Sequence, residues 1–180
     1  THILFALDYS GSMLGTGIDE LRAAMDYILT EEKASENYLQ FSEKDKITII
    51  KFNSEVSEPV TVENGLETKE LLDDINDTTP RGGTNIYDTV AEAVEYLDSE
   101  DMETYNVSIV LMTDGVGNDG SLSEMQNAIE NAKNKIPVYS ITFGTAKKEQ
   151  LQKIADLTSG KVFDGKTNLL EAFKLVRGYN

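Results

Sequence analysis

The chain alternates short apolar runs with stretches whose apolar residues recur every three or four positions. Ile3-Leu4-Phe5-Ala6-Leu7 is unbroken and ends on Asp8, the pattern of a strand buried on both faces. Ile18, Leu21, Met25, Ile28 and Leu29 then fall at helical spacing and predict a first helix over 18–32. Residues 31–46 are polar and charged, with Tyr38, Leu39 and Phe41 as apolar anchors. Ile47 to Phe52 predicts a second strand. A short edge strand is expected near 56–62, where Pro59 suits an edge better than a centre. Thr68 is the expected cap of a short helix carrying Leu71, Leu72 and Ile75.

The second half continues the alternation. Thr79-Pro80-Arg81-Gly82-Gly83-Thr84-Asn85 is a loop of chain-bending residues. It opens a helix with Ile86, Val90, Ala93, Val94 and Leu97 on one face. Val107 to Thr113 is a further buried strand, ended by Asp114-Gly115. Ser121 and Glu124 form a capping-box pattern ahead of Leu122, Met125, Ile129 and Ala132. A strand over 136–143 is followed by a helix carrying Leu151, Ile154 and Ala155, with Gly160 as its expected stop. Val162-Phe163 predicts a short last strand. Thr167 is the expected cap of a final helix with Leu169, Leu170, Phe173 and Val176 facing inward. Strand–helix alternation of this kind predicts a doubly wound α/β fold, a mostly parallel sheet with helices on both faces.

Length and charge narrow the function. With 180 residues the chain suits one domain with a real core, and we read 1–180 as a single domain excised from a larger protein. The formal net charge of −16 implies a solvated acidic surface and argues against a nucleic-acid or anionic-membrane binder. The absence of cysteine excludes disulfides, thiolate metal sites and cysteine nucleophiles. No apolar run approaches the roughly 18 residues of a membrane span, so no direct membrane insertion by this segment is expected. No signal peptide is visible. The compartment is left open, with a lean towards an extracytoplasmic or membrane-tethered position through segments outside this chain.

The candidate chemistry lies at strand ends. Asp8, Ser10 and Ser12 follow the first strand in an Asp-x-Ser-x-Ser cluster, a set of hard oxygen ligands suited to Mg2+ or Mn2+. Thr84 follows the Gly82-Gly83 turn, and Asp114 ends the second buried strand. In a doubly wound sheet, loops at the carboxyl edge near the switch point converge on one crevice. Two carboxylates and three hydroxyls could then surround one ion whose charge still seeks an anionic ligand. Singly, each piece has a plainer reading. Asp8 can end a strand, Ser10 and Thr84 can cap helices, and Asp-Gly is a common turn.

Together these motifs resemble the von Willebrand factor type A domain. The order and strand contexts agree from Ile3 to about Val176, and Asp8-x-Ser10-x-Ser12, Thr84 and Asp114-Gly115 match the three parts of its metal-ion-dependent adhesion site. The resemblance implies a six-stranded, largely parallel sheet with one short antiparallel edge strand. It implies that Ser10 and Ser12 bind Mg2+ or Mn2+, in preference to Ca2+, through their hydroxyls. Thr84 would bind directly or through water, and Asp8 and Asp114 mainly through waters, or one of them directly when no ligand is bound. It further implies a non-enzymatic adhesion or scaffold module whose protein partner offers an Asp or Glu to the metal. The rim is expected from residues near Tyr9, Met13, Arg81, Asn85 and 115–119, with a packing role as the alternative for Tyr9.

Four rival functions are weighed against it. Gly11-x-x-x-Gly15-x-Gly17 has the spacing of a dehydrogenase glycine loop, but Asp8 would face the cofactor phosphate and no Tyr is followed four residues on by Lys. A Ser–His–acid hydrolase fails on His2, the only histidine, which falls roughly 20 Å from Asp8 at the other end of the first strand. A Mg2+-dependent phosphoryl-transfer enzyme lacks a P-loop and has only Arg81 as a nearby cation. A metal-independent structural interaction module is the remaining alternative.

Overall fold

A computed structural model describes residues 1–115, 117–144 and 148–178. Six strands form one sheet: β1 (His2–Asp8), β2 (Lys46–Phe52), β3 (Val60–Val62), β4 (Val107–Thr113), β5 (Val138–Thr142) and β6 (Lys161–Asp164). Their order is β3-β2-β1-β4-β5-β6. All neighbours are parallel except β2 and β3, which pair antiparallel. The predicted α/β class and the short antiparallel edge strand are therefore what the chain adopts.

The strands read most clearly from sequence are the central ones. Every residue of β1 and of β4 is buried. Ile3, Phe5 and Leu7 point into one apolar core and Leu4 and Ala6 into another. That two-faced burial is why the run is continuous rather than alternating. The first core is covered by α1 (Thr16–Leu29), α3 (Lys69–Asp77) and α7 (Leu169–Val176). The second is covered by α4 (Ile86–Leu97), α5 (Leu122–Asn131) and α6 (Lys148–Thr158). A short α2 (Glu31–Ser35) follows α1. Among the described residues no helix is long and apolar enough to cross a membrane.

Several boundaries differ from expectation for identifiable reasons. The first helix does not run to residue 32. Thr30 takes extended backbone, and α2 starts anew after it. Thr68 occupies the cap position of α3 but makes no capping bond. Its hydroxyl instead donates to the Leu29 carbonyl at 2.8 Å, satisfying an orphan acceptor at the end of α1. Asn168, not Thr167, precedes α7 as its cap residue. Leu170 is partly exposed, and Ala172 is buried in the place expected for it. Ser121 does cap α5, accepting from the Glu124 N–H at 3.2 Å. Residue 160 is not the left-handed stop of α6. Ser159 takes that conformation, with φ of 58°.

The last helix is fastened by charge as well as by Phe173 and Val176. Arg177, just beyond α7, donates to Asp45 Oδ2 at 3.2 Å and to the Gln40 carbonyl at 2.9 Å. Its guanidinium lies 4.5 Å from the centre of the Phe41 ring. Burial alone would raise the Asp45 pKa, but donors on Thr1, Arg177 and the Ser42 backbone outweigh it and hold the carboxyl well below its usual range.

The topology places the site. The chain leaves β1 for β2 on one side and later adds β4 on the other, so the switch point falls at the carboxyl end of β1. The register pairs Leu7 with Met112, which sets Asp8 beside Thr113 at the top of the neighbouring strand.

Candidate metal centre

Past Asp8 the chain turns tightly through Ser10 into one 3-10 turn, Gly11–Met13. The Ser10 N–H donates to Asp8 Oδ1 at 2.7 Å, and the Thr113 hydroxyl donates to Asp8 Oδ2 at 2.5 Å. Both oxygens of this fully buried carboxylate are thus engaged. Burial drives its pKa up to about 6, with the nearby Asp114 adding to the rise; the bonds from Ser10 and Thr113 offset only part of it. Burial leaves the charged form of this carboxyl short of solvation.

Ser12 is in direct reach of both Ser10 and Asp114. The Ser10 and Ser12 hydroxyl oxygens lie 3.1 Å apart, and the Ser12 hydroxyl donates to Asp114 Oδ1 at 2.9 Å. Adjacent oxygens on a Mg2+ octahedron, with metal–oxygen distances of about 2.1 Å, are also about 3 Å apart. Each of these two oxygen pairs is spaced as neighbouring oxygens on such an ion would be. Gly115 marks where the third loop arrives. A Cβ added there would lie 3.8 Å from Ser12 Oγ, 3.9 Å from Thr113 Oγ1 and 3.9 Å from Thr84 Cγ2. All three predicted loops thus converge, and the donor set of two carboxylates and neutral hydroxyls fits Mg2+ or Mn2+ better than a softer metal. Among the described residues no group of three or more His, Cys, Asp or Glu side chains is arranged to hold a metal. This centre would rely on serine and threonine oxygens.

Thr84 is delivered by backbone pairing. The Arg81 N–H donates to the Tyr9 carbonyl at 2.7 Å, and the Gly11 N–H to the Gly82 carbonyl at 3.0 Å. Gly82 has φ of +77°, a turn that a side chain would strain. Of the three glycines that resemble a dinucleotide loop, Gly15 takes φ of 87° and the other two sit against neighbouring groups. A Cβ at Gly11 would lie 3.3 Å from the Gly82 carbonyl, and one at Gly17 would lie 3.1 Å from Met13 Sδ and 3.6 Å from Asp114 Oδ2.

The expected rim is partly corrected. Tyr9 is buried and its hydroxyl donates to the Ile75 carbonyl at 2.7 Å, so it is a core residue. Met13 is buried in the same core. Asn85 caps α4, its side chain accepting from the Asp88 N–H. Their loop positions suggested exposure; local turns fold all three inward. Arg81 and Asp119 are exposed and Gly115 half-buried, as a rim requires, while Val116 lies outside the described residues. His2 sits at the far end of β1, buried, with Nε2 2.8 Å from Thr48 Oγ1 and Nδ1 3.0 Å from Glu100 Oε2.

Thr113 is the residue that sequence reading missed. The available signal was its position beside Asp8, which only the strand register supplies. Its hydroxyl donates to Asp8 and accepts from the Gly115 N–H at 3.1 Å, linking β1 to the Asp114 turn. Thr113→Val keeps the shape and removes both bonds. We expect it to weaken Mg2+ or Mn2+ binding about 10- to 100-fold, measured by calorimetry, as loss of a partner behind the ligands commonly does.

This fold and these motifs define the class. The chain matches the von Willebrand factor type A domain family over residues 2–172, and it belongs to that family. It is 32% identical over 158 residues to inter-alpha-trypsin inhibitor heavy chain H3 of Bos taurus, covering 79% of this chain and 16% of that protein. Identity to heavy chain H4 of Homo sapiens is 30% over 157 residues, again across 79% of this chain and 16% of the relative. The chain thus spans about a sixth of the length of these relatives. Among solved structures, a von Willebrand factor type A protein from Catenulispora acidiphila superposes with a TM-score of 0.76 at 15% identity, covering 98% of this chain and 42% of that one. The manganese-loaded TRAP protein of Plasmodium vivax gives 0.68 at 18% identity, over 98% of this chain and 72% of that one. Domains of this family generally mediate protein–protein interaction or adhesion.

Proposed function

We propose that this domain is a non-enzymatic adhesion or scaffold module that binds a protein partner through a Mg2+ or Mn2+ ion. Asp8, Ser10, Ser12, Thr84 and Asp114 hold the ion, and an Asp or Glu of the partner completes its coordination. The observation that carries this reading is the convergence of the Ser10, Ser12 and Asp114 oxygens at 2.9–3.1 Å above the switch point, with Thr84 alongside. Ser10, Ser12 and Thr84 are neutral donors, so they leave the ion electrophilic towards an incoming carboxylate. Asp8 acts from behind, because its oxygens are already taken by Ser10 and Thr113. Manganese in the TRAP relative supports the choice of ion.

Calorimetric titration of EDTA-stripped protein with Mg2+ and Mn2+, beside an Asp8→Ala, Ser10→Ala double variant, tests this. Saturable binding near 1:1 that vanishes in the variant is expected. Equal binding by both proteins would place the ion elsewhere on the acidic surface and overturn the assignment. No binding by either would favour a metal-independent interaction module.

A further inference from the structure

The three consecutive amides that bring Thr84 to the site are each held by a different group outside their own segment. The Gly83 N–H donates to Ser54 Oγ at 2.7 Å, the Thr84 N–H to Asn118 Oδ1 at 2.9 Å, and the Asn85 N–H to the Asn53 carbonyl at 2.7 Å. The return contact is equally close. The Thr84 carbonyl accepts from the Asn118 N–H at 3.0 Å and the Asp119 N–H at 3.3 Å. Asn118 therefore grips Thr84 at both its donor and its acceptor. These bonds engage the backbone of Thr84 and not its hydroxyl.

The clamp is itself anchored. Asp88 Oδ1 accepts from the Ser121 N–H at 2.9 Å, and Asp88 Oδ2 accepts from Asn85 Nδ2 at 2.9 Å. On the other side, the Gly117 N–H donates to Gln150 Oε1 at 2.7 Å. Glycine at 83 is what lets the clamp close. A Cβ there would lie 2.9 Å from Ser54 Oγ and 3.2 Å from Asn118 Oδ1, and it would collide with Asp119 Oδ2. Asn118 and Asp119 are exposed, on the segment that borders the site.

We infer that Asn118 is a positioning residue for the cation site: it fixes the Thr84 backbone and with it the side chain, whose Cγ2 lies beside Gly115. It also ties the Thr84 backbone to the 117–119 segment, exposed at Asn118 and Asp119, so partner contact with this segment bears on cation affinity. The inference rests on the proposed metal-binding function. An amide suits the position because it accepts the Thr84 N–H without placing another negative charge next to Asp119.

The test measures Mn2+ affinity by calorimetry and amide exchange at Thr84 by NMR in EDTA-treated protein. It compares wild type with Asn118→Ala and Asn118→Asp. Asn118→Ala is expected to bind Mn2+ about 10-fold more weakly. Its Thr84 amide should exchange at least about 10-fold faster, with the β1 and β4 amides unchanged. Asn118→Asp keeps the acceptor oxygen and should hold Thr84 amide exchange within about threefold of wild type. If Asn118→Ala does not fold, Asn118→Ser, too short to reach the Thr84 N–H, serves in its place. Wild-type Mn2+ affinity and Thr84 exchange in the variant would overturn the inference and leave the metal site standing. Absence of Mn2+ binding by wild type would overturn both.

Discussion

Replacing Asp8 is expected to abolish cation binding while making the metal-free protein less sensitive to pH. Asp8→Ala should weaken Mg2+ or Mn2+ binding by at least about 100-fold, because it removes a charge and the shared acceptor of the Ser10 N–H and Thr113 hydroxyl. The sharper variant is Asp8→Asn, which keeps the shape. In the metal-free protein the Asp8 pKa stands at about 6, raised chiefly by burial. Its unfolded value is about 3.9. The folded state therefore binds the extra proton, and stability falls as pH rises from about 4 to about 6, by up to roughly 3 kcal/mol. Above that window the loss is complete, and Mg2+ should recover part of it by binding only the folded state. Urea unfolding in EDTA across this pH range should show the decline in wild type and its absence in Asp8→Asn. Added Mg2+ at pH 7 should stabilise wild type alone. A flat wild-type profile would remove the argument that Asp8 is a buried charge awaiting a cation.

The second large effect concerns the fold. Gly160 joins α6 to β6, and its N–H donates to the Ala155 carbonyl at 2.8 Å. A Cβ there would overlap the Val138 carbonyl, which is backbone of the adjoining strand and cannot rotate away. Gly160→Ala is expected to cost about 3 kcal/mol or more, since β5 and β6 must separate to admit it. That corresponds to a fall of roughly 6–12 °C in Tm for a domain of this size. Ser159→Gly is the informative contrast, because it relieves a left-handed residue at φ 58° and should hold or raise Tm. An unchanged Tm in Gly160→Ala would mean that α6 can move away from β5 without loss of packing.

What could be read from sequence follows from how local each signal is. β4 is legible to the residue because a run that is apolar but for Ser108, closed by Thr113 and Asp114, reads as a buried strand in an α/β chain. Asp8, Ser10, Ser12, Thr84 and Asp114 were legible as candidates because each sits at the end of such a run or after a glycine turn. The end of α1 was not legible. No Gly or Pro marks it, and the group that completes it, the Thr68 hydroxyl on the Leu29 carbonyl, is 39 positions away in sequence. The residues that hold the site in shape share this property. Thr113 matters because β1 and β4 are adjacent, and Asn118 because its loop folds over Thr84. Tyr9 and Met13 turn inward rather than to the rim because a tight turn can present a side chain to either layer, and the apolar core beneath wins when the residue is large.

The most direct test of the account is to locate Mn2+ by paramagnetic broadening of amide resonances in EDTA-stripped protein titrated with the ion. The account predicts that signals from 10–12, Thr84 and 114–115 disappear first and together, at substoichiometric Mn2+, and that Asp8→Ala preserves them. Broadening centred instead on the acidic α4 and α5 faces, around Asp88, Glu92 and Glu124, and unaffected by Asp8→Ala, would contradict it.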